Sequence, residues 1–133
     1  MYCLDSNIII FALKIEQSSK LFQKITSSIS KNLACTTSVN VLELLYYSYK
    51  NKATKSLEKR TEILKILKIY DFDFEAAKIA SQIKVDLEQN GFGIDNFDLM
   101  IASICLANNL TLVTNNTKHF QNIPNLKLED WVK

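Results

Sequence analysis

The chain has 133 residues, of which 47% are apolar and 23% are charged, and its formal net charge is +2. A chain of this length buries roughly 68% of the surface that its unfolded form exposes, which excludes a mainly disordered protein. Because it contains only two glycines, Gly91 and Gly93, and one proline, Pro124, an all-β fold and glycine-based phosphate loops or nucleophile elbows are excluded.

Short apolar strands alternate with longer helical patterns along the chain. The predicted strands are residues 2–4, 33–36, 69–71, 111–114 and 126–128. Apolar residues at helical spacing predict helices at residues 20–29, 39–49, 56–67, 74–87 and 97–106. We expect Thr37 or Ser38 to cap the second of these helices, Asn96 to cap the last, and Asn90-Gly91 to end the fourth.

This alternation predicts the fold class. Strands separated by helices need crossover connections, which indicates an α/β domain with a mainly parallel sheet of about five short strands and helices on both faces. No repeat, low-complexity tract or linker interrupts the pattern. We therefore expect residues 1–133 to form a single domain.

The cysteines and the single histidine limit the chemistry further. Cys3, Cys35 and Cys105 stand far apart in apolar surroundings, as is typical of buried thiols in a reducing compartment rather than of zinc ligands or disulfides. His119 is the only histidine, so a metal-free ribonuclease with separate imidazole base and acid is excluded. Without a signal peptide or a long apolar run, the protein is expected to be cytoplasmic and to make no membrane contact.

Charge is distributed unevenly along the chain. Residues 30–70 contain eight Lys or Arg against three acids, a local +5, and residues 71–98 contain seven acids against two lysines, a local −5. One interpretation is that amphipathic helices simply expose solvated faces. The other is a basic rim that attracts phosphate beside an acidic pocket that needs a cation.

Three carboxylates are candidates for chemistry. Asp5 follows the first strand, at the edge where open α/β sheets bind ligands, although it could only cap the next helix. Glu43 lies in the middle of an apolar helix; its structural alternative is an exposed polar stripe with Asn40 and Tyr47. Asp98 lies in the first turn of another apolar helix, where the helix dipole alone favours an acid.

Three further polar residues are weaker candidates. The simpler interpretation of Asp95 is an acid in a solvated loop. Asn115 and Asn116 follow the fourth strand, where asparagine also suits a turn. If Asp5, Glu43 and Asp98 converge, each pair repels by roughly 4 kcal/mol at 4 Å. Such a cluster needs a cation, and oxygen ligands favour Mg²⁺ or Mn²⁺ with phosphodiester hydrolysis as the natural reaction.

These residues lie in segments that resemble the PIN-domain ribonucleases, specifically the VapC toxins of bacterial and archaeal toxin-antitoxin pairs. The resemblance runs nearly from end to end, and only the ordered set is specific. The matching segments are 4–8 (LDSNI), 43–44 (EL), 98–102 (DLMIA), 112–117 (LVTNNT), Phe120, 123–124 (IP) and 128–131 (LEDW).

The resemblance implies a three-layer α/β/α domain and a Mg²⁺- or Mn²⁺-dependent endoribonuclease. It implies that Asp5, Glu43 and Asp98 form the metal site and that a fourth group, Asn115 or Asn116, assists; we select Asn116. It also implies an RNA substrate, commonly tRNA or rRNA, a VapB-type antitoxin that covers the site, and a homodimer. Leu42, Leu45, Tyr46 and Tyr49 with residues 56–67 are one candidate groove for that partner.

The sequence departs from the family pattern at one segment. Residues 118–121 read Lys-His-Phe-Gln where Arg-Glu-Phe-Glu is more usual, which removes two acids and leaves Asp95, Asn115 and Asn116 as alternatives for the fourth group. Ser6 stands where threonine is usual and keeps the hydroxyl. Two other functions stay open: a non-catalytic module of this fold that binds RNA or protein, and a phosphatase or phosphotransferase with an aspartyl nucleophile.

Overall fold

The computed structural model describes residues 1–132, in which the strands form one five-stranded sheet. The strand order is β3-β2-β1-β4-β5, and every neighbouring pair is parallel. The α/β class is therefore confirmed. The strands are β1 (Tyr2–Leu4), β2 (Ala34–Thr37), β3 (Lys68–Tyr70), β4 (Thr111–Val113) and β5 (Lys127–Glu129).

Helices connect the strands close to the predicted positions. They are α1 (Ser6–Lys14), α2 (Lys20–Ser30), α3 (Ser38–Lys50), α4 (Thr54–Ile66), α5 (Phe74–Gln89) and α6 (Asn96–Ala107). Helix α1 was not predicted as an element of its own. Its sequence is apolar along most of its length, so amphipathic spacing gave no signal for it.

The helix ends test the predicted caps. Thr37 caps α3, and the α5 helix stops at Asn90 with Gly91 at a positive φ of 76°, as expected. The cap of α6 was predicted wrongly, because Asp95 and not Asn96 occupies that position. The Asp95 carboxylate accepts hydrogen bonds from the backbone N–H groups of Phe97 and Asp98, at 3.0 and 3.3 Å.

Two apolar cores lie on opposite faces of the sheet. Consecutive strand residues point to opposite faces, so Cys3 packs into the core that contains the buried sides of α5 and α6, and Leu4 into the core that contains α1 and α2. Helix α6 is the most buried helix, with Leu99 and residues 101–105 inside. This layering matches the expected α/β/α arrangement.

The free cysteines are buried, as predicted, but they are not isolated. Cys3 and Cys35 are register partners on β1 and β2, and Cys105 lies in the same core. Hydrogen bonding to Cys105 and Cys35, with burial, raises the pKa of the Cys3 thiol well above its ordinary value. The parallel sheet therefore brings together thiols that are remote in sequence.

The order of the strands reverses direction beside β1. The chain moves outward from β1 through β2 to β3, and later returns to the other side of β1 with β4 and β5. Open α/β sheets bind ligands at such a reversal, beside the carboxyl ends of the strands. Here Asp5 follows β1 and Thr114 follows β4.

No helix within residues 1–132 is long and apolar enough to cross a membrane.

Candidate active site

Asp5 is fixed by its neighbours on three sides and is 7% exposed. Its Oδ1 accepts hydrogen bonds from the Ser6 N–H and from Asn40 Nδ2, both at 2.9 Å, and its Oδ2 accepts one from Thr114 Oγ1 at 2.8 Å. Asp5 also caps α1. Both sequence interpretations of this residue are thus compatible, since the cap holds the carboxylate at the end of β1.

Asn40 links the elements around Asp5. It is fully buried on α3, and its Nδ2 lies 2.9 Å from both Asp5 Oδ1 and Ser6 Oγ. Its Oδ1 accepts a hydrogen bond from Thr37 Oγ1 at 2.7 Å. The alternative that placed Asn40 on an exposed polar stripe is therefore wrong.

Glu43 lies one turn after Asn40 on the same side of α3. Ser6 Oγ donates to Glu43 Oε1 at 2.8 Å, and Asn40 Nδ2 approaches the same oxygen at 3.4 Å. The side chain is half-buried. The retained hydroxyl of Ser6 thus connects the carboxylate on α3 to the start of α1.

Asp98 reaches the same region from the first turn of α6. Its Oδ2 lies 3.3 Å from His119 Nδ1, and the Asp98 side chain is 18% exposed against 57% for His119. His119 belongs to the segment that departs from the family pattern. The imidazole therefore stands directly beside one of the predicted metal ligands.

These side chains line one cleft of about 370 Å³ at the carboxyl edge of the sheet. Asp5, Glu43, Asp95 and Asp98 all contribute to its wall, together with Asn116 and His119, among others. Asn115 is not among the lining residues, and its side-chain Oδ1 is buried without a hydrogen-bond partner in residues 1–132.

The acids share a cleft but are not arranged as a complete ligand set. Within residues 1–132, no group of three His, Cys, Asp or Glu side chains is placed, as it stands, to hold a metal ion. Asp5 and Glu43 instead accept the hydrogen bonds described above, and Asp98 faces His119.

Burial and mutual repulsion act on each carboxyl group of the cleft. Burial raises the pKa of Asp5, and hydrogen bonds from Thr114, Ser6 and Asn40 offset only part of this. The pKa values of Glu43 and Asp98 are raised by burial first and then by neighbouring charges, which in both cases include Asp5 and Asp95. The cleft therefore favours either protons or a cation.

The raised pKa values predict an unusual pH dependence of stability. A group whose pKa is higher in the folded state stabilises folding below its unfolded pKa, and this contribution is lost as pH rises through the folded pKa. In chelator-treated protein, Asp98→Asn should be more stable than wild type at neutral pH. This advantage should shrink as pH falls through the raised pKa of Asp98. Urea unfolding across pH measures the difference in free energy of unfolding between the two proteins. A stability advantage of Asp98→Asn that grows on acidification would contradict a raised pKa for Asp98.

The sequence did not identify two contributors to the site. Asn40 lies three residues before Glu43, a spacing that places both on one helix face, so that signal was available. The contact of His119 with Asp98 depends on how the turn Thr117–His119 packs against α6. No spacing rule relates those two segments.

Comparison with known proteins identifies the class that this fold and cleft define. A family model described as the PIN domain matches residues 2–126. The relatives include Ribonuclease VapC2 of Rickettsia felis, 37% identical over all of this chain and 99% of that protein. They also include the tRNA(fMet)-specific endonuclease VapC of Shigella flexneri, 30% identical over 98% of this chain and 97% of that protein.

A solved structure agrees with the sequence relatives. A chain in the crystal structure of VapBC2 from Rickettsia felis, bound to a DNA fragment from the promoter, superposes with a TM-score of 0.88. It is 35% identical, and the match covers 98% of both chains. The present chain therefore belongs to the PIN-domain family, among its VapC members.

Proposed function

We propose that the protein is the endoribonuclease toxin of a VapBC-type toxin-antitoxin pair, formed by a single PIN domain over residues 1–133. The observation that carries this proposal is the cleft at the carboxyl edge of the sheet, lined by Asp5, Glu43, Asp95 and Asp98. Two relatives of this chain bear the names ribonuclease and tRNA(fMet)-specific endonuclease. The substrate class is RNA, with tRNA or rRNA as the expected targets.

The donor set of the cleft fits Mg²⁺ or Mn²⁺. Its acidic ligands offer only oxygen, which these cations prefer, and Asn7 adds a buried Oδ1 that has no hydrogen-bond partner in residues 1–132. The raised carboxyl pKa values have the sign expected of a site that is completed by positive charge. When bound, such an ion lowers the pKa of a coordinated water and offsets charge on phosphate.

Each side chain has a distinct role in this proposal. Asp5 and Asp98 hold the ion, and Glu43 completes the site or orients the attacking water. Asn116, exposed at the rim of the cleft, assists through a hydrogen bond to water or phosphate. Asn40 and Ser6 act as positioning residues, because their hydrogen bonds set the directions of the Asp5 and Glu43 carboxylates.

The partner in this proposal is a VapB-type antitoxin, with the toxin itself a cytoplasmic homodimer. Two of the solved structures that resemble this chain, from Rickettsia felis and Salmonella typhimurium, are VapBC complexes. Leu42, Tyr46 and Tyr49 are exposed on α3, and Leu45 is half-buried, so part of the apolar groove expected from sequence is open. Apolar surface of this kind supports protein contacts.

Removal of divalent ions tests the proposed function. We expect purified protein to cleave RNA with Mg²⁺ or Mn²⁺, to lose cleavage in EDTA, and to regain it when excess Mn²⁺ is added. RNA that is bound but never cut would favour the non-catalytic alternative. A phosphorylated Asp5 trapped from a phosphoester substrate would instead favour phosphotransfer.

A further inference from the structure

A second pocket, of about 220 Å³, lies between α1 and α4. We call it the basic pocket, because four cationic side chains and no acidic one contribute to its wall. Its cationic and apolar lining residues are Lys14, Lys55, Lys59, Arg60, Ile10 and Leu13. It thus combines concentrated positive charge with a small apolar floor.

The cations of the basic pocket form no ion pair with the part of the chain that the structure describes. None of them lies within 4.0 Å of a carboxylate oxygen in residues 1–132, although Glu58 and Glu62 belong to the same helix as three of them. Arg60 is held in place by a hydrogen bond from Nη1 to the Leu44 carbonyl, at 2.6 Å. Gathering like charges around one concavity costs Coulomb energy, which a bound anion relieves.

The basic pocket adjoins the acidic cleft. Ile10 lines both, and α1 runs from the Asp5 cap to Lys14. A helix of this length, nine residues, spans about 13 Å at 1.5 Å per residue. One flexible nucleic-acid strand, which carries a phosphate on every nucleotide, can therefore occupy the acidic cleft and the basic pocket at once.

We propose that the basic pocket binds backbone phosphates of the RNA strand next to the scissile bond. Lys14, Lys55 and Lys59 neutralise phosphate, and Ile10 and Leu13 contact a ribose or base. This inference rests on the proposed ribonuclease function and adds to it the path of the substrate. It also gives the uneven charge of residues 30–70 a role, because Lys55, Lys59 and Arg60 all come from that segment.

The test uses two double variants that lower the net charge equally. Lys55→Gln with Lys59→Gln changes the basic pocket, and Lys31→Gln with Lys78→Gln changes exposed lysines outside it. Binding of a non-hydrolysable RNA oligonucleotide is measured across salt concentrations. Two lost phosphate contacts reduce the slope of log K against log salt by about 1.4 for a single strand.

We expect the pocket variant to show this reduced slope and a loss of affinity of tenfold or more at low salt, with the control pair close to wild type. Lys14→Gln, on α1, provides an independent variant should the double variant unfold. Equal slopes for both pairs overturn the inference, as does a pocket variant that loses antitoxin binding but keeps RNA binding. Failure of the wild type to cleave any RNA would instead reject the ribonuclease proposal.

Discussion

The Asp98→Asn protein is expected to cleave RNA about 10³-fold more slowly than wild type, or worse, while it stays folded. The substitution keeps the size of the side chain and removes one charged ligand from the proposed ion site. Metal-assisted stabilisation of the transition state is worth several kcal/mol, and about 4 kcal/mol corresponds to this factor. Single-turnover cleavage of a defined RNA, together with circular dichroism, measures rate and fold separately.

Asp86→Asn is the matched control for this substitution. Asp86 is an exposed acid on α5 that does not line the acidic cleft, so its loss should change the rate by less than about twofold. A cleavage rate of Asp98→Asn equal to that of wild type would contradict the role of Asp98 as a ligand of the ion. Loss of cleavage in both variants would point to net charge rather than to the cleft.

Asn40→Ala should lower the free energy of unfolding by about 2–4 kcal/mol and also slow cleavage. The side chain is fully buried, and its loss leaves Asp5 Oδ1 and Thr37 Oγ1 without one hydrogen-bond partner each. A hydrogen bond to a charged group contributes about 1.5–3 kcal/mol and one between neutral groups about 0.5–1.5 kcal/mol. Urea denaturation in the presence of EDTA measures the free energy of unfolding without any contribution from bound ions.

Asn51→Ala serves as the control, since Asn51 is exposed at the end of the same helix. It should change stability by less than about 0.5 kcal/mol. A similarly small effect of Asn40→Ala would show that the hydrogen bonds around Asp5 are not important for the fold. Normal stability combined with slow cleavage would restrict Asn40 to positioning the carboxylates.

The parts of the site that depend on chain adjacency could be predicted from sequence. Asp5 directly follows a short apolar strand, and the ends of neighbouring parallel strands meet at one edge, so its position followed from the α/β pattern. The same reasoning placed Asn116, which follows the neighbouring fourth strand, at that edge. Glu43 was identified because an acid within an apolar helix needs a polar neighbour.

Other parts depend on tertiary packing and could not be read from the chain. The choice of Asp95 over Asn96 as the cap of α6 was open, because both residue types cap helices well. The burial of Asn40 depends on how α3 packs against the end of β1. The hydrogen-bond partners that orient the carboxylates come from other elements of the fold, which spacing along a chain does not encode.

Calorimetric titration of Mn²⁺ into chelator-free protein tests most directly whether the acids of the cleft jointly hold a divalent cation. We expect saturable binding to wild type and to Asp86→Asn, and affinity at least tenfold weaker for Asp98→Asn, since even a residue that only hydrogen-bonds to a metal ligand changes affinity by about 10–100-fold. Equal Mn²⁺ affinity in wild type and Asp98→Asn, or no binding to either, would contradict the proposed metal site.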